Sequence, residues 1–570
     1  MVKCKRPPSL LFLFIFIMIT LVAVPSLSSP TDLIKYCLTI KHVTNFTLIP
    51  PTSTRSSDND SSLYYNLLNF SIQNLRFVEP SFTKPIAIVL PQTQEQLAST
   101  VLCCRQAMLV IRIRCGGHSY EGLSSVASNG VPFVIIDMMN LNRVSVDMES
   151  KTAWVEGGAT LGETYYAISE SSDSHGFSAG SCPTVGSGGH IAGGGFGLLS
   201  RKYGLAADNV VDALVLDADG RILDREAMGE DVFWAIRGGG GGVFGIIYAW
   251  KIRLVQIPQV VTSFIVSRPG TLQQVAELVH KWQFVGPQLE DAFYLSAFVG
   301  AGLPEVKSIG ISATFKGFYL GPKAEATTII NGTFPELGIQ DEDCKQMSWI
   351  ESVLFFSGLP NGSCLSDLKD RFLHDKGYFK AKSDYVKIVI PMGGIRSALK
   401  ILAKEPKGEG NLFTIQYQVA WNEQDQGNKK SNELIDWMTG FYQFMTPFVA
   451  TEPRTAYVNY VDLDLGKMDM IISASSNAVE TARRWGEKYF LNNYDRLVQI
   501  KTVIDPNNVF SNQQGIPPMS GTIGTLDAQI NAAPSKICDL NVKATASGDD
   551  KENNLRSSYI IIWSTCTARF

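Results

Sequence analysis

Arg114-Cys115-Gly116-Gly117-His118-Ser119-Tyr120 follows an apolar run, Met108–Arg114, that reads as a β-strand, and it turns the chain with very little side-chain bulk. Later in the same half, Cys182-Pro183-Thr184-Val185-Gly186 leads into a glycine-rich loop, Gly-Ser-Gly-Gly-His-Ile-Ala-Gly-Gly-Gly-Phe-Gly over Gly186–Gly197. Arg237-Gly-Gly-Gly-Gly-Gly242 supplies a third such loop. Loops without bulk let backbone N–H groups approach a pyrophosphate. One histidine and one cysteine beside them suit a large planar cofactor held against backbone and bonded to both side chains. A nicotinamide fingerprint is disfavoured, because it opens a helix after the first strand of a βαβ unit with an acidic residue following. No Gly-Lys-Ser/Thr ends any of the three runs, so a Walker loop is absent.

Outward from these loops, Pro85–Pro91 reads as a short strand bounded by prolines, and Gln94–Ala107 has helical spacing. Phe133–Asp137, Thr152–Glu156 and Val210–Asp217 continue the strand pattern, each followed by a turn or a glycine-rich loop. Strands alternating with helices over 84–257 predict an α/β domain. Beyond Pro258 the texture changes. Val261–Val266, Ala292–Val299, Ser308–Phe318 and Phe413–Ala420 read as strands, with a helical Leu272–Val285 after the first. Asn432–Phe444 and Asn477–Tyr489 read as further helices. The pattern predicts a largely antiparallel sheet with helices on one face, so the whole chain is of the α+β class.

A chain of 570 residues is long enough for two or more domains. Its formal net charge of −4 provides no basic field for nucleic acid or an acidic membrane surface. Lys3, Lys5 and Arg6 precede the apolar Leu10–Val24, and Ser26, Ser28 and Ser29 follow, so residues 1–29 read as a secretory signal. No other segment is long and apolar enough to span a bilayer, and no membrane span is expected after signal removal. Export gives meaning to five glycosylation sequons, at Asn45, Asn59, Asn69, Asn331 and Asn361. It also favours cysteine pairing. Cys344 and Cys364 could pair across their loop, which spacing alone leaves open. His175, His190, His280 and His374 show no metal-ligand spacing, so no metal site is expected.

The paired His and Cys motifs resemble the twin flavin-attachment motifs of the plant berberine bridge enzyme-like family, and the resemblance runs from about Cys37 to Pro518. It implies FAD bonded through its 8α position to His118 and through its 6 position to Cys182. A segment at 30–83 would precede a PCMH-type FAD-binding domain of two α/β subdomains at 84–257. A substrate domain at 258–456 would follow, and then a segment at 457–518 returning to the flavin. Arg114, Gly116, Gly117, Ser119, Gly186, Ser187, Gly188, Gly189, His190, Gly193, Val243 and Asn459 are the further cofactor-binding residues it implies. Val185 stands where the family lines the approach of dioxygen, and valine there goes with oxidases, leucine with dehydrogenases. The resemblance pairs Cys37 with Cys103 and leaves Cys104, Cys115, Cys538 and Cys566 over. Cys115 stands where the family usually has serine.

On the substrate side, alternation along Phe413–Tyr417 puts Thr414 and Gln416 on one face. Berberine bridge enzymes place a glutamate base at the Gln416 position. A neutral amide accepts no proton usefully, so berberine-type ring closure is not expected. Tyr120, Gln416 and Tyr460 are the expected catalytic residues, with Tyr460 as a general base if its pKa falls well below 10. Two features of monolignol oxidisers, a lysine at the Thr414 position and a tyrosine at the Phe196 position, are missing. So is a family strand between Asp384-Tyr-Val-Lys387 and Asn411-Leu-Phe413, which leaves the domain shortened near 398–410. The tail 519–570 has no family counterpart. The expectation is a secreted, monomeric FAD-linked oxidase of an alcohol or sugar-type substrate that reduces O2 to H2O2. The alternatives are a dehydrogenase with another acceptor and a catalytically weak flavin-binding protein.

Overall fold

The computed structural model describes residues 29–50, 59–127, 130–301, 311–373, 376–403, 415–421, 429–468 and 477–519. The apolar Leu10–Val24, Thr414, Cys538, Cys566 and the tail from residue 520 lie outside them.

The first sheet is built from short apolar runs. It contains β1 (Phe46–Leu48), β2 (Ala87–Val89), β3 (Val110–Arg114) and β4 (Phe133–Asp137), in the order β1-β2-β4-β3. β2 and β3 run parallel to β4, while β1 is antiparallel to β2. Every residue of β4 is buried, as a strand covered on both faces requires. Val134 and Ile136 face the helices Pro30–Ile40 and Gln94–Gln106, and Ile135 faces Tyr64 and Leu68 of the helix Asn59–Phe70. The two helices of the first face are joined by the Cys37–Cys103 disulfide, the pairing the family resemblance implies.

Farther along come β5 (Val144–Asp147), β6 (Thr152–Glu156), β7 (His175–Gly176), β8 (Val210–Leu216), β9 (Ile222–Leu223), β10 (Ile246–Arg253) and β11 (Val255–Gln256). Five of them form a second sheet ordered β5-β6-β10-β8-β9, antiparallel throughout, while β11 pairs with β7. The helix Leu161–Ser171 starts at a capping box made by Thr160 and Glu163, and its Leu161, Tyr165 and Ile168 join the core around Trp250.

In the substrate half, β12 (Val261–Gly270), β13 (Phe293–Ala301), β14 (Ile311–Tyr319) and β15 (Lys345–Met347) form an antiparallel sheet ordered β13-β14-β12-β15. The helix Leu272–Gln288 lays Val275, Val279 and Trp282 on it. β16 (Tyr378–Asp384) and β17 (Ile415–Trp421) form a separate two-stranded sheet, with Ser383 opposite Gln416. The predicted sheet is therefore antiparallel but divided among the described residues, and the division falls where the sequence is shortened. A helix, Met392–Leu402, occupies the start of that short link, and its Ile395 and Leu399 share a core with Leu295 of β13 and Val419 of β17. Packing of apolar side chains joins what the backbone ladder does not.

The helices Ala478–Phe490 and Tyr494–Ile504 are the last α-helices of the described residues. The second is pinned to the first half by Lys501, whose Nζ donates to Val243 O at 2.7 Å and to Phe510 O at 2.8 Å and pairs with Asp505 at 2.6 Å. Cys344 and Cys364 are free, one buried and one exposed, so the pairing that spacing left open is not made.

Candidate active site

The three glycine loops and the Tyr457–Tyr460 segment line one cavity. Absent side chains bring its walls together. A Cβ on Gly116 would lie 2.4 Å from Gly186 N and 2.5 Å from Thr184 O, so the His118 loop and the Cys182 loop touch backbone to backbone. A Cβ on Gly193 would lie 1.9 Å from Asn459 Oδ1. That contact seats the C-terminal segment on the second loop, where Asn459 Nδ2 also donates to His190 O at 3.0 Å.

His118 and Cys182 meet at a residue the sequence reading passed over. Thr184 Oγ1 lies 2.8 Å from His118 Nε2 and 3.6 Å from Cys182 Sγ. Burial, with smaller contributions from the nearby Lys376 and His190, lowers the His118 pKa to about 4. At neutral pH its imidazole is uncharged and keeps a nitrogen lone pair. His190 is pushed down to about 4 by burial alone, and its Nε2 accepts from Gly180 N at 3.0 Å. Cys182 is buried, 2% exposed. Cys115 is a free thiol on the cavity wall, and burial pushes it up to about 12, so it is a poor nucleophile at neutral pH.

Beside this pair stands an aromatic wall. Tyr120 and Tyr460 stack with centroids 5.1 Å apart and planes 10° from parallel. Phe379 of β16 meets Tyr120 edge-on, and Tyr457 and Phe196 meet Tyr460 edge-on. Gln416 Nε2 donates to Tyr120 OH at 2.9 Å and to Gln418 Oε1 at 3.2 Å. Its Oε1 is buried without a partner, a lone acceptor beside the tyrosines. The general-base role expected of Tyr460 requires correction. Burial first, then the neighbouring Tyr120, Tyr457, Tyr294 and Tyr385, hold its pKa well above 10. Tyr460 is therefore held as the neutral phenol, stacked on Tyr120.

Of the expected cofactor residues, Gly116, Gly117, His118, Ser119, Cys182, Val185, Gly186, Gly188, Gly189, His190, Val243 and Asn459 line the cavity. Arg114 does not. Its Nε pairs with Asp137 Oδ2 at 2.7 Å, and its other nitrogens donate to Leu67 O and Leu68 O, so it braces the first sheet. Ser187 turns toward Thr164, and Gly193 is spent on Asn459. Arg112 and Ser124, which the motifs did not flag, line the cavity and present a buried Nε and a buried Oγ without partners.

A charge cluster behind the tyrosines was also invisible in the motifs. Lys380 Nζ contacts Glu121 Oε1 at 2.5 Å and Asp462 Oδ1 at 2.8 Å; Lys382 Nζ contacts Asp462 Oδ2 at 2.9 Å and Asp464 Oδ2 at 2.5 Å. Burial opposes the Lys380 charge, but Glu121, Asp462 and Asp464 outweigh it and raise the Lys380 pKa. The cluster ties β16 to the residues that follow Tyr120 and Tyr460.

Bulk-free loops, two unpartnered polar atoms and an adjoining aromatic wall fit a flavin dinucleotide. Among the described residues no grouping of three His, Cys, Asp or Glu side chains could hold a metal, and no helix is long and apolar enough to cross a membrane.

Comparison with known proteins agrees with this geometry. Residues 85–225 match the family described as FAD binding domain, and residues 456–517 match the family described as Berberine and berberine like. Berberine bridge enzyme-like D-2 of Nicotiana tabacum is 57% identical, with 90% of this chain and 96% of the relative covered. Reticuline oxidase of Papaver somniferum is 47% identical, with 90% and 97% covered. The solved structure of berberine bridge enzyme from Eschscholzia californica matches with a TM-score of 0.79 at 47% identity, covering 86% of this chain and 99% of its own.

Proposed function

We propose that this chain, which belongs to the berberine bridge enzyme-like family of FAD-dependent oxidoreductases, carries its flavin on both His118 and Cys182 and oxidises an alcohol or sugar-type hydroxyl. The observation that carries this reading is the meeting of His118 and Cys182 at Thr184, inside the cavity that the tyrosines close. A neutral imidazole is the form able to make a carbon–nitrogen bond, and burial supplies it.

When bound, the flavin accepts hydride from the substrate carbon. The chain positions that carbon. The stacked Tyr120 and Tyr460 offer a flat, water-excluding face, and the unpartnered Oε1 of Gln416, bonded to Tyr120 through its Nε2, supports a role as acceptor for a substrate hydroxyl. A relative is named reticuline oxidase, but an amide at position 416 argues against that chemistry here. With dioxygen as acceptor the balance is one alcohol and one O2 giving one carbonyl compound and one H2O2. Val185 on the cavity wall supports this acceptor, because its small side chain leaves room at the flavin face. An apolar N-terminal run, a disulfide and exposed sequons at Asn331 and Asn361 support export, and we take the protein as a secreted monomer.

A second reading, a flavin-binding protein with little turnover or a dehydrogenase with another acceptor, is favoured by the divided substrate sheet. Peroxide release during turnover on a panel of allylic alcohols and sugars supports the oxidase. Dye reduction without peroxide supports the dehydrogenase, and no flavin reduction by any of them supports the binder.

A further inference from the structure

Among the described residues five cations are buried, and four of them have a carboxylate: Lys380 and Lys382 in the cluster behind the tyrosines, Arg114 and Lys501. Arg114 pairs with Asp137 at 2.7 Å and Lys501 with Asp505 at 2.6 Å. Arg112, 4% exposed, has none. Its Nη1 donates to Ser511 O at 2.5 Å and weakly to Ile111 O at 3.5 Å, and its Nε has no partner. Burial without a counter-charge pulls its pKa down to about 10, the mark of a cation held away from both water and acid. A buried, uncompensated guanidinium is unfavourable unless something anionic completes it. Carbonyl contacts alone explain one end of the side chain and leave the other vacant.

Position selects the anion. Arg112 lies on β3 two residues before the strand end at Arg114, about 7 Å upstream at the rise of an extended strand. The His118 loop begins beyond that end. Arg112 reaches Ser511, whereas His118 and Cys182 meet at Thr184, so the two groups have no partner in common. A dinucleotide with its ring system at His118 would extend its other half toward Arg112. We propose that Arg112 binds the adenosine half of the flavin dinucleotide, donating a charge-assisted hydrogen bond to an oxygen of the adenosine-side phosphate, which FMN lacks. The inference rests on the flavin reading above and assigns the cavity a residue that its glycine motifs do not contain. A planar guanidinium with several donors in a fixed fork suits a phosphate better than a lysine would.

The test uses the full chain carrying His118→Ala and Cys182→Ala, freed of flavin, with and without Arg112→Gln. Affinities for FAD and FMN are read from flavin fluorescence, and the affinity for ADP from displacement of FAD. Arg112→Gln should weaken FAD and ADP by about 10- to 100-fold and leave FMN unchanged. FAD binding should also lose part of its salt dependence. If Arg112→Gln does not fold, Arg112→Lys keeps the charge but not the fork, and it should weaken ADP and FAD by a smaller factor with FMN unchanged. Unaltered ADP affinity, or equal weakening of FMN, overturns the proposal while leaving the flavin reading intact. Failure of the parent double variant to bind FAD at all overturns both.

Discussion

The two walls of the cavity are held by different physics. The flavin-side wall is fixed by backbone: the 116 and 186 loops touch with no room for a Cβ, and Gly193 meets Asn459 in the same way. The substrate-side wall is a two-stranded sheet with no ladder to the larger sheet among the described residues, fastened by Lys380 and Lys382 to Glu121, Asp462 and Asp464. A close backbone approach is insensitive to pH and salt and tolerates no added atom. A buried ion cluster tolerates changes of shape but depends on every charge keeping its partner. The first arrangement suits a cofactor that is always the same molecule, and the second suits a wall that has been reshaped.

The largest effect expected of a single change falls on the backbone side. Gly116→Ala pushes two backbones apart, and we expect loss of folded, soluble protein, read as expression yield and thermal melting. A normal melt would mean the loops are looser than their contacts imply. Next comes Asp462→Ala, which leaves two buried ammonium groups side by side and should cost about 3–5 kcal/mol in denaturant unfolding. Adding Lys382→Met should recover part of that loss, and full additivity would show that the cluster is not coupled.

A pH dependence should separate the walls further. His118 and His190 titrate near 4 when folded and near 6.5 when unfolded, so the unfolded chain binds protons first as pH falls. Stability of the flavin-free chain is fully present above about 6.5 and should decline toward pH 4, with a slope approaching two protons. His118→Ala should reduce that slope by about one, and an unchanged slope in unfolding titrations would contradict the assignment. The smallest effect is Tyr120→Phe, which removes the acceptor of the Gln416 bond and should cost about 1 kcal/mol in unfolding. A loss several times larger would mean the Tyr120 hydroxyl holds more of the substrate wall than that bond.

Strands whose apolar runs are continuous were legible in the sequence. Phe133–Asp137 and Thr152–Glu156 form with the predicted bounds, and the helix at 94–106 ends one residue early. What the sequence did not reveal depends on partners distant in the chain. Arg114 reads as a cofactor residue because glycines follow it, yet β3 and β4 pair so that Arg114 stands opposite Asp137, and the two neutralise each other. Arg112, one alternation earlier, stands opposite Ile135 and gains no such partner. Thr184 sits inside a quoted motif, but its function as a bridge appears only once two loops fold together. Lys380 and Lys382 belong to a segment that no motif flags, and they are buried by partners near 121 and 462 that lie far away in the chain. The all-antiparallel second sheet was likewise hidden, since alternating strands and helices do not by themselves fix strand direction.

The central claim, that one flavin is held at both His118 and Cys182, is tested most directly by the intact mass and visible absorbance of denatured, desalted protein. Wild type is compared with His118→Ala, Cys182→Ala and the double variant. The account predicts one FAD retained by the wild type and by each single variant and lost from the double. A wild-type chain that is colourless and carries no flavin mass would contradict it.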